Sequence, residues 1–205
     1  MAVATNEQIV AFIELLAPLA IAECNRLASE GKGFVLPSVC IAQSAHETGW
    51  GTADIMVKAN AFFGIKAGGS WTGKIYTADT WEVVNGESYN TSANFRAYDN
   101  LADSVRDYYD LMGASRYANA LSTLDNRLTP LETVTAIWSA GYATDPPYVE
   151  LVMDLLNGRD LDQYDSKVDG ISTGTGGSSG GDYGYIAPPE ATETTNIKFV
   201  FEKIE

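Results

Sequence analysis

Residues 37–51 read PSVCIAQSAHETGWG. Pro37 suits the first position of a helix, because its φ is already helical and its missing N–H would have had no partner there. Val39, Ala42, Gln43 and His46 recur at helical spacing, Cys40 and Ala45 are small enough for a core, and Gly49 and Gly51 end the pattern around Trp50. Glu47 therefore falls in the last turn of a mostly apolar helix. There the negative end of the helix dipole and the apolar neighbours both oppose ionisation and raise its pKa. A carboxylic acid that keeps its proton near neutral pH is what a general acid needs to protonate a leaving glycosidic oxygen. A lone helix-end glutamate is more often a solvated surface residue, so the assignment leans on what surrounds it.

Ala42-Gln43-Ser44-Ala45-His46-Glu47-Thr48-Gly49-Trp50-Gly51, followed by Asn60-Ala61-Phe62-Phe63-Gly64-Ile65-Lys66, resembles the signature of the bacterial and phage N-acetylglucosaminidases of glycoside hydrolase family 73. Phe95-Arg96-Ala97-Tyr98, Arg116-Tyr117 and Gly141-Tyr142-Ala143-Thr144-Asp145-Pro146 follow in the order of the same family, and the likeness runs from about residue 6 to residue 164. The resemblance implies an α+β, mainly α fold: a lysozyme-like helical domain with a small β-hairpin lobe. It also implies cleavage of the bond after N-acetylglucosamine in peptidoglycan, with Glu47 as the acid, a second carboxylate on the hairpin, and Tyr142 next to the reacting sugar.

The 205 residues allow one domain of usual size plus an appendage, and 45% hydrophobic content supplies a core. A net charge of −14 argues against nucleic acid, whose phosphates require clustered Lys and Arg. Glycan binding must then rest on hydrogen bonds and aromatic stacking. Cys24 and Cys40 both fall in apolar helical patterns and read as buried thiols, with a disulfide between them left open. The single histidine, with Trp50 where a zinc-protease motif needs its second histidine, argues against a metal, and no cofactor is expected.

Neither a secretory signal nor a membrane span is visible. The start MAVATNEQIV has no basic region, and Glu14 and Pro18 interrupt the following apolar run. A wall hydrolase of this kind would be released phage-fashion from a host cytoplasm or be a trimmed secreted chain. Thr5-Asn6-Glu7-Gln8 reads as a capping box opening a core helix. Pro18 predicts a break, with a second helix to about Glu30. Thr52 is expected to cap a short helix over 52–58.

From Ala61 to Tyr98 the composition suits strands, and Asn85-Gly86 marks a two-residue hairpin turn. That turn pairs Val84 with Glu87, Val83 with Ser88 and Glu82 with Tyr89. Thr80-Trp81-Glu82-Val83 resembles the segment that carries the family's second carboxylate, so Glu82 takes that role, approaching the acid when a glycan closes the lobe. The bland alternative is an exposed strand glutamate.

Asn100 predicts a helix to Gly113, Arg116 to Leu124 another, and Thr129-Pro130-Leu131-Glu132 a firm helix start ending at Gly141. Asp145-Pro146 is expected to cap a final helix to about Gly158, which holds Tyr142 and Asp145 in the loop between two helix boundaries. Asp145 is taken as substrate-binding. Phe63 and Tyr148 are carried as cleft aromatics, Trp138 as core, and Arg96 as the tie between β-lobe and helices. The catalytic domain is thus expected over residues 1–164, with its β-lobe over about 65–98. Residues 165–190 read as a flexible Gly/Ser/Pro-rich linker, and residues 191–205 as a strand-like tail that docks on another chain or is a truncated module. A muramidase or lytic transglycosylase of the same superfamily, and a non-catalytic wall-binding or tail-assembly protein, are the competing readings.

Overall fold

The structure is a computed structural model and describes residues 4–84, 87–143 and 146–169. Residues 170–190 of the expected linker and the tail expected over 191–205 lie outside the described residues, as do the turn residues Asn85 and Gly86 and the candidate Asp145.

Helix α1 (Asn6–Ser29) opens with the predicted capping box: Thr5 accepts from the Gln8 amide, and the Gln8 side chain accepts from Thr5 N–H. It does not break at Pro18. Phe12, Ile13, Leu16, Ala17, Ala20, Cys24 and Leu27 form one buried face on both sides of the proline. Burying that face outweighs the roughly 3 kcal/mol that an interior proline costs.

Helix α2 (Pro37–Thr48) begins on Pro37 as predicted, and every residue except His46 is buried, so it is the central helix of the molecule. It packs against α1, against α5 (Pro130–Ser139) and α6 (Tyr148–Asn157), and against the 3-10 turn Leu161–Lys167. The short helix α3 (Asp54–Ala59) has Ala53 as its cap in place of Thr52, whose hydroxyl donates to Gly49 O instead.

Strands β1 (Lys74–Val84) and β2 (Glu87–Ala97) form one antiparallel hairpin with the register expected from the Asn-Gly turn: Val84 opposite Glu87, Val83 opposite Ser88, Glu82 opposite Tyr89. Its base is pinned to the helices. The Arg96 amide donates to Ile65 O and the Tyr98 amide to Ala59 O. The Arg96 guanidinium and the Tyr98 hydroxyl both donate to Asp107 on α4 (Leu101–Met112). Arg96 is therefore the expected tie between lobe and helices, and it also covers the Trp71 ring at 4.8 Å.

Helix α4 carries its Asn100 cap, and α5 its Thr129/Glu132 capping box. The segment after Gly113 is shorter than predicted, a 3-10 turn over Ser115–Ala120. Helix α6 is capped by Pro147 without a side-chain bond, two residues beyond the position expected for Asp145-Pro146. Trp138 packs half-buried against the main core. Cys24 and Cys40 are free and buried, and the Cys24 thiol lies 3.3 Å from the Tyr109 hydroxyl. The domain also runs past the expected boundary at 164: Asp165 and Val168 are buried, and Asp169 pairs with Asn25. Among the described residues, no helix is long and apolar enough to cross a membrane.

Candidate active site

Helix α2 is held at both ends by contacts that fix Glu47. Its first turn has no side-chain cap of its own, since Leu36 occupies the cap position. Asp165 supplies one from 127 residues away, accepting the Ser38 amide at 2.8 Å and the Ser38 hydroxyl at 2.7 Å. The last turn is closed by Gly49, Trp50 and Gly51, three successive residues with positive φ. Glycine is required at 51, where a Cβ would lie 2.9 Å from the Phe12 ring. Thr48 locks the turn by donating to Ser44 O and accepting the Gly51 amide.

Glu47 sits just before this turn with 6% of its surface exposed. Among the described residues no hydrogen bond reaches its carboxyl, and burial raises its pKa to about 7. Its place in the last turn, near the negative end of the helix dipole, works in the same direction. The charge it would carry is felt by two tyrosines, Tyr142 and Tyr148, whose phenols are pushed well above their usual pKa, first by burial and next by Glu47. Tyr142 follows Gly141, whose positive φ turns the chain at the end of α5, and its ring centroid lies 6.2 Å from that of Tyr148 and 6.4 Å from that of Tyr117.

The structure thus brings Glu47, Tyr142 and Tyr148 together. Tyr148 is not a stacking face, however: it is buried in the core, and its hydroxyl accepts from Gln43 Nε2 at 2.6 Å. Phe63 is also core in place of cleft, fully buried and stacked on Tyr108 at 4.0 Å between ring centroids. Both misplacements have one cause. An aromatic next to a motif satisfies a packed interior as well as a sugar face, and sequence spacing does not distinguish the two. Glu82 lies on β1, third pair from the turn. Gln43 and Tyr117 lie within the quoted motifs with no role assigned to them there, and Tyr108 lies outside those motifs. The available signal was the four-residue step from Gln43 to Glu47, which puts a polar side chain beneath the acid on one helix face.

Two hollows on the surface of the described residues are lined by other side chains. One of about 510 Å³ lies between the 3-10 turn at Arg116 and α5, and one of about 620 Å³ lies between the hairpin base and α4. Neither is lined by Glu47. Among the described residues, no group of His, Cys, Asp or Glu side chains could hold a metal ion.

A mostly helical domain with a small two-stranded antiparallel lobe is the fold of lysozyme-like glucosaminidase domains. A peptidoglycan hydrolase mutant from Sphingomonas sp. A1 superposes with a TM-score of 0.60 at 34% identity, covering 75% of this chain and 96% of that one. The catalytic domain of the autolysin Auto from Listeria monocytogenes gives 0.64 at 28% identity, covering 79% and 90%. The chain belongs to the glucosaminidase family, mannosyl-glycoprotein endo-beta-N-acetylglucosaminidase, whose profile matches residues 25–161. Among curated relatives, the exo-glucosaminidase LytG of Bacillus subtilis is 35% identical over 136 residues, covering 65% of this chain and 48% of that protein. The peptidoglycan hydrolase FlgJ of Pseudomonas aeruginosa is 34% identical over 149 residues, covering 70% and 35%. The chain therefore spans about half or less of the length of these relatives.

Proposed function

We propose that this chain is a peptidoglycan hydrolase acting on the bacterial cell wall, cutting the β-1,4 bond between N-acetylglucosamine and N-acetylmuramic acid with Glu47 as proton donor. The observation that carries the reading is the Glu47 carboxyl, buried at the end of α2, where burial raises its pKa to about 7. Family membership supplies the bond type, and the named relatives supply the polymer.

In this reading Glu47 protonates the leaving oxygen as the glycosidic bond breaks. Glu82, carried on the hairpin, is the second carboxylate, and Tyr142 stands beside the sugar ring. Two carboxyls about 6.5 to 9.5 Å apart would leave room for an attacking water, whereas about 5 to 5.5 Å would permit direct attack on the sugar. The lobe that bears Glu82 meets the helices at its base, so closure of the hairpin over a glycan would set that spacing. Asp145 belongs to the same proposal as a substrate-binding residue of the loop after Tyr142.

The test is digestion of purified peptidoglycan, borohydride reduction and mass spectrometry of the fragments. Reduced N-acetylglucosamine ends are expected. Muramitol ends would make the chain a muramidase and anhydro-sugar ends a lytic transglycosylase, and wall binding without any sugar release would make it a non-catalytic binder. Glu47→Gln should lower turnover by about 10²- to 10⁴-fold while leaving the circular dichroism spectrum unchanged.

A further inference from the structure

The hollow of about 510 Å³ beside α5 is a groove with one end at the proposed site. Leu131, Thr135 and Ser139 recur at steps of four along its α5 wall, and Arg116 and Asn119 of the 3-10 turn face them. From Leu131 to Ala140 a helix rising about 1.5 Å per residue covers about 13 Å. The Ala140 end adjoins Gly141 and Tyr142 in the chain. Arg116 reaches the same place through aromatic contacts: its guanidinium lies 4.4 Å from the centre of the Tyr117 ring, which is 6.4 Å from that of Tyr142.

The charge in this groove sets it apart from the rest of the surface. The chain carries 13 basic against 27 acidic residues, for a net charge of −14. Arg26, Arg96, Arg106, Lys58 and Lys74 each pair with a carboxylate. Arg116 instead lies over the Tyr117 ring and donates to the hydroxyl of that tyrosine, and among the described residues no ion pair reaches it. A guanidinium presents five N–H donors in a planar fork, so one bond to a phenol leaves most of them for an anion. The carboxylate on the groove wall is engaged elsewhere, since Glu132 accepts the amide and the hydroxyl of Thr129 at the start of α5.

The proposed substrate offers an anion of matching reach. Every second sugar of the strand is a muramic acid, whose lactyl group bears a peptide stem with free carboxylates, and four extended residues span about 13 Å. A chain of net charge −14 repels such a strand, so a lone cation beside the site favours the register that brings a carboxylate to it. A neutral sugar in the same groove would leave that cation unanswered.

We propose that this groove binds the peptide stem of the muramic acid next to the reacting sugar. The Arg116 guanidinium holds a stem carboxylate, and the exposed side chains of Asn119, Thr135 and Ser139 meet the stem amides. The inference rests on the hydrolase reading for its substrate, but its central measurement is binding and needs no turnover.

The probes are soluble glycan strands bearing tetrapeptide stems and the same strands stripped of stems by an amidase. Dissociation constants are measured with Glu47→Gln, which keeps the strands intact, alone and combined with Arg116→Gln, Arg116→Lys or Thr135→Trp. Stems should tighten binding to Glu47→Gln by about 5-fold, as one charge-assisted pair at an exposed site does, and by less as salt is raised. Arg116→Gln should abolish that gain, and Arg116→Lys, which keeps the charge without the fork, should retain part of it. Thr135→Trp fills the groove from an exposed helix position without touching Arg116 or Tyr117, and should abolish the gain as well. Equal affinity for the two probes in Glu47→Gln overturns the inference, and is what a groove for a sugar would give. Arg116→Gln that weakens both probes alike also overturns it, because a residue that only props Tyr117 acts on both. So does Thr135→Trp with the gain intact. Digestion by the wild-type chain separates this inference from the reading beneath it. Sugar release without a stem-dependent gain refutes only the stem site, whereas a stem-dependent gain without sugar release refutes the hydrolase reading and leaves the site standing.

Discussion

Burial lifts the Glu47 carboxyl from an ordinary pKa of 4.5 to about 7, so between those values the folded chain holds a proton that the unfolded chain has released. The sign follows directly. Stability from this group is fully present below about pH 4.5 and is lost as pH rises through 7. Glu47→Gln, which never ionises, should therefore be more stable than the wild type at pH 8, by on the order of 2 to 3 kcal/mol more than at pH 4. Calorimetric melting at the two pH values measures that difference, and an equal effect at both would mean the carboxyl is not desolvated as described. The same proton sets the activity profile: kcat/KM should fall on the alkaline side with an apparent pKa near 7. A group useful as an acid at neutral pH is thus one that weakens the fold there.

At the level of elements, the hairpin reaches the helical body through a narrow base. Arg96 and Tyr98 converge on Asp107, and the amides of the same two residues bond to Ile65 O and Ala59 O. The Arg96–Asp107 pair is largely shielded from water, at 18% and 19% side-chain exposure, so Asp107→Ala leaves a guanidinium and a phenol without their acceptor. The cost should be roughly 2 to 4 kcal/mol. Hydrogen exchange should speed up at the Arg96 and Tyr98 amides and leave the α1 amides nearly as before; unchanged exchange at the base would show that backbone contacts alone hold the lobe. These elements also show what a sequence declares. The Thr5/Gln8 and Thr129/Glu132 boxes and the hairpin register are legible because their determinants lie within a few residues of each other. The continuity of α1 through Pro18 is not, because the deciding term is burial against partners distant in sequence. The burial of Glu47 is legible from its neighbours and its helix position, whereas the tyrosine partners of Gln43 and the inward turn of Tyr148 and Phe63 depend on packing that no local pattern encodes.

Over the whole molecule, the acid at one end of α2 depends on a residue that composition alone assigns to the linker. Asp165 accepts both the amide and the hydroxyl of Ser38 at the start of that helix, and burial raises its own pKa to about 6 despite those bonds. Val168 is 1% exposed in the main core, and Asp169 exchanges hydrogen bonds with Asn25 on α1. The cooperative unit therefore extends to at least residue 169. A chain ending after Asp169 keeps the Ser38, Val168 and Asn25 contacts. A chain ending after Tyr164 exposes the space under Val168 and leaves two buried Ser38 donors unpaired, which should cost roughly 3 kcal/mol. Urea denaturation of the two truncations separates the cases: equal midpoints would place the boundary at 164 and make Asp165 dispensable. A lower midpoint for the shorter chain alone would tie the position of Glu47 to a contact made at the opposite end of its helix.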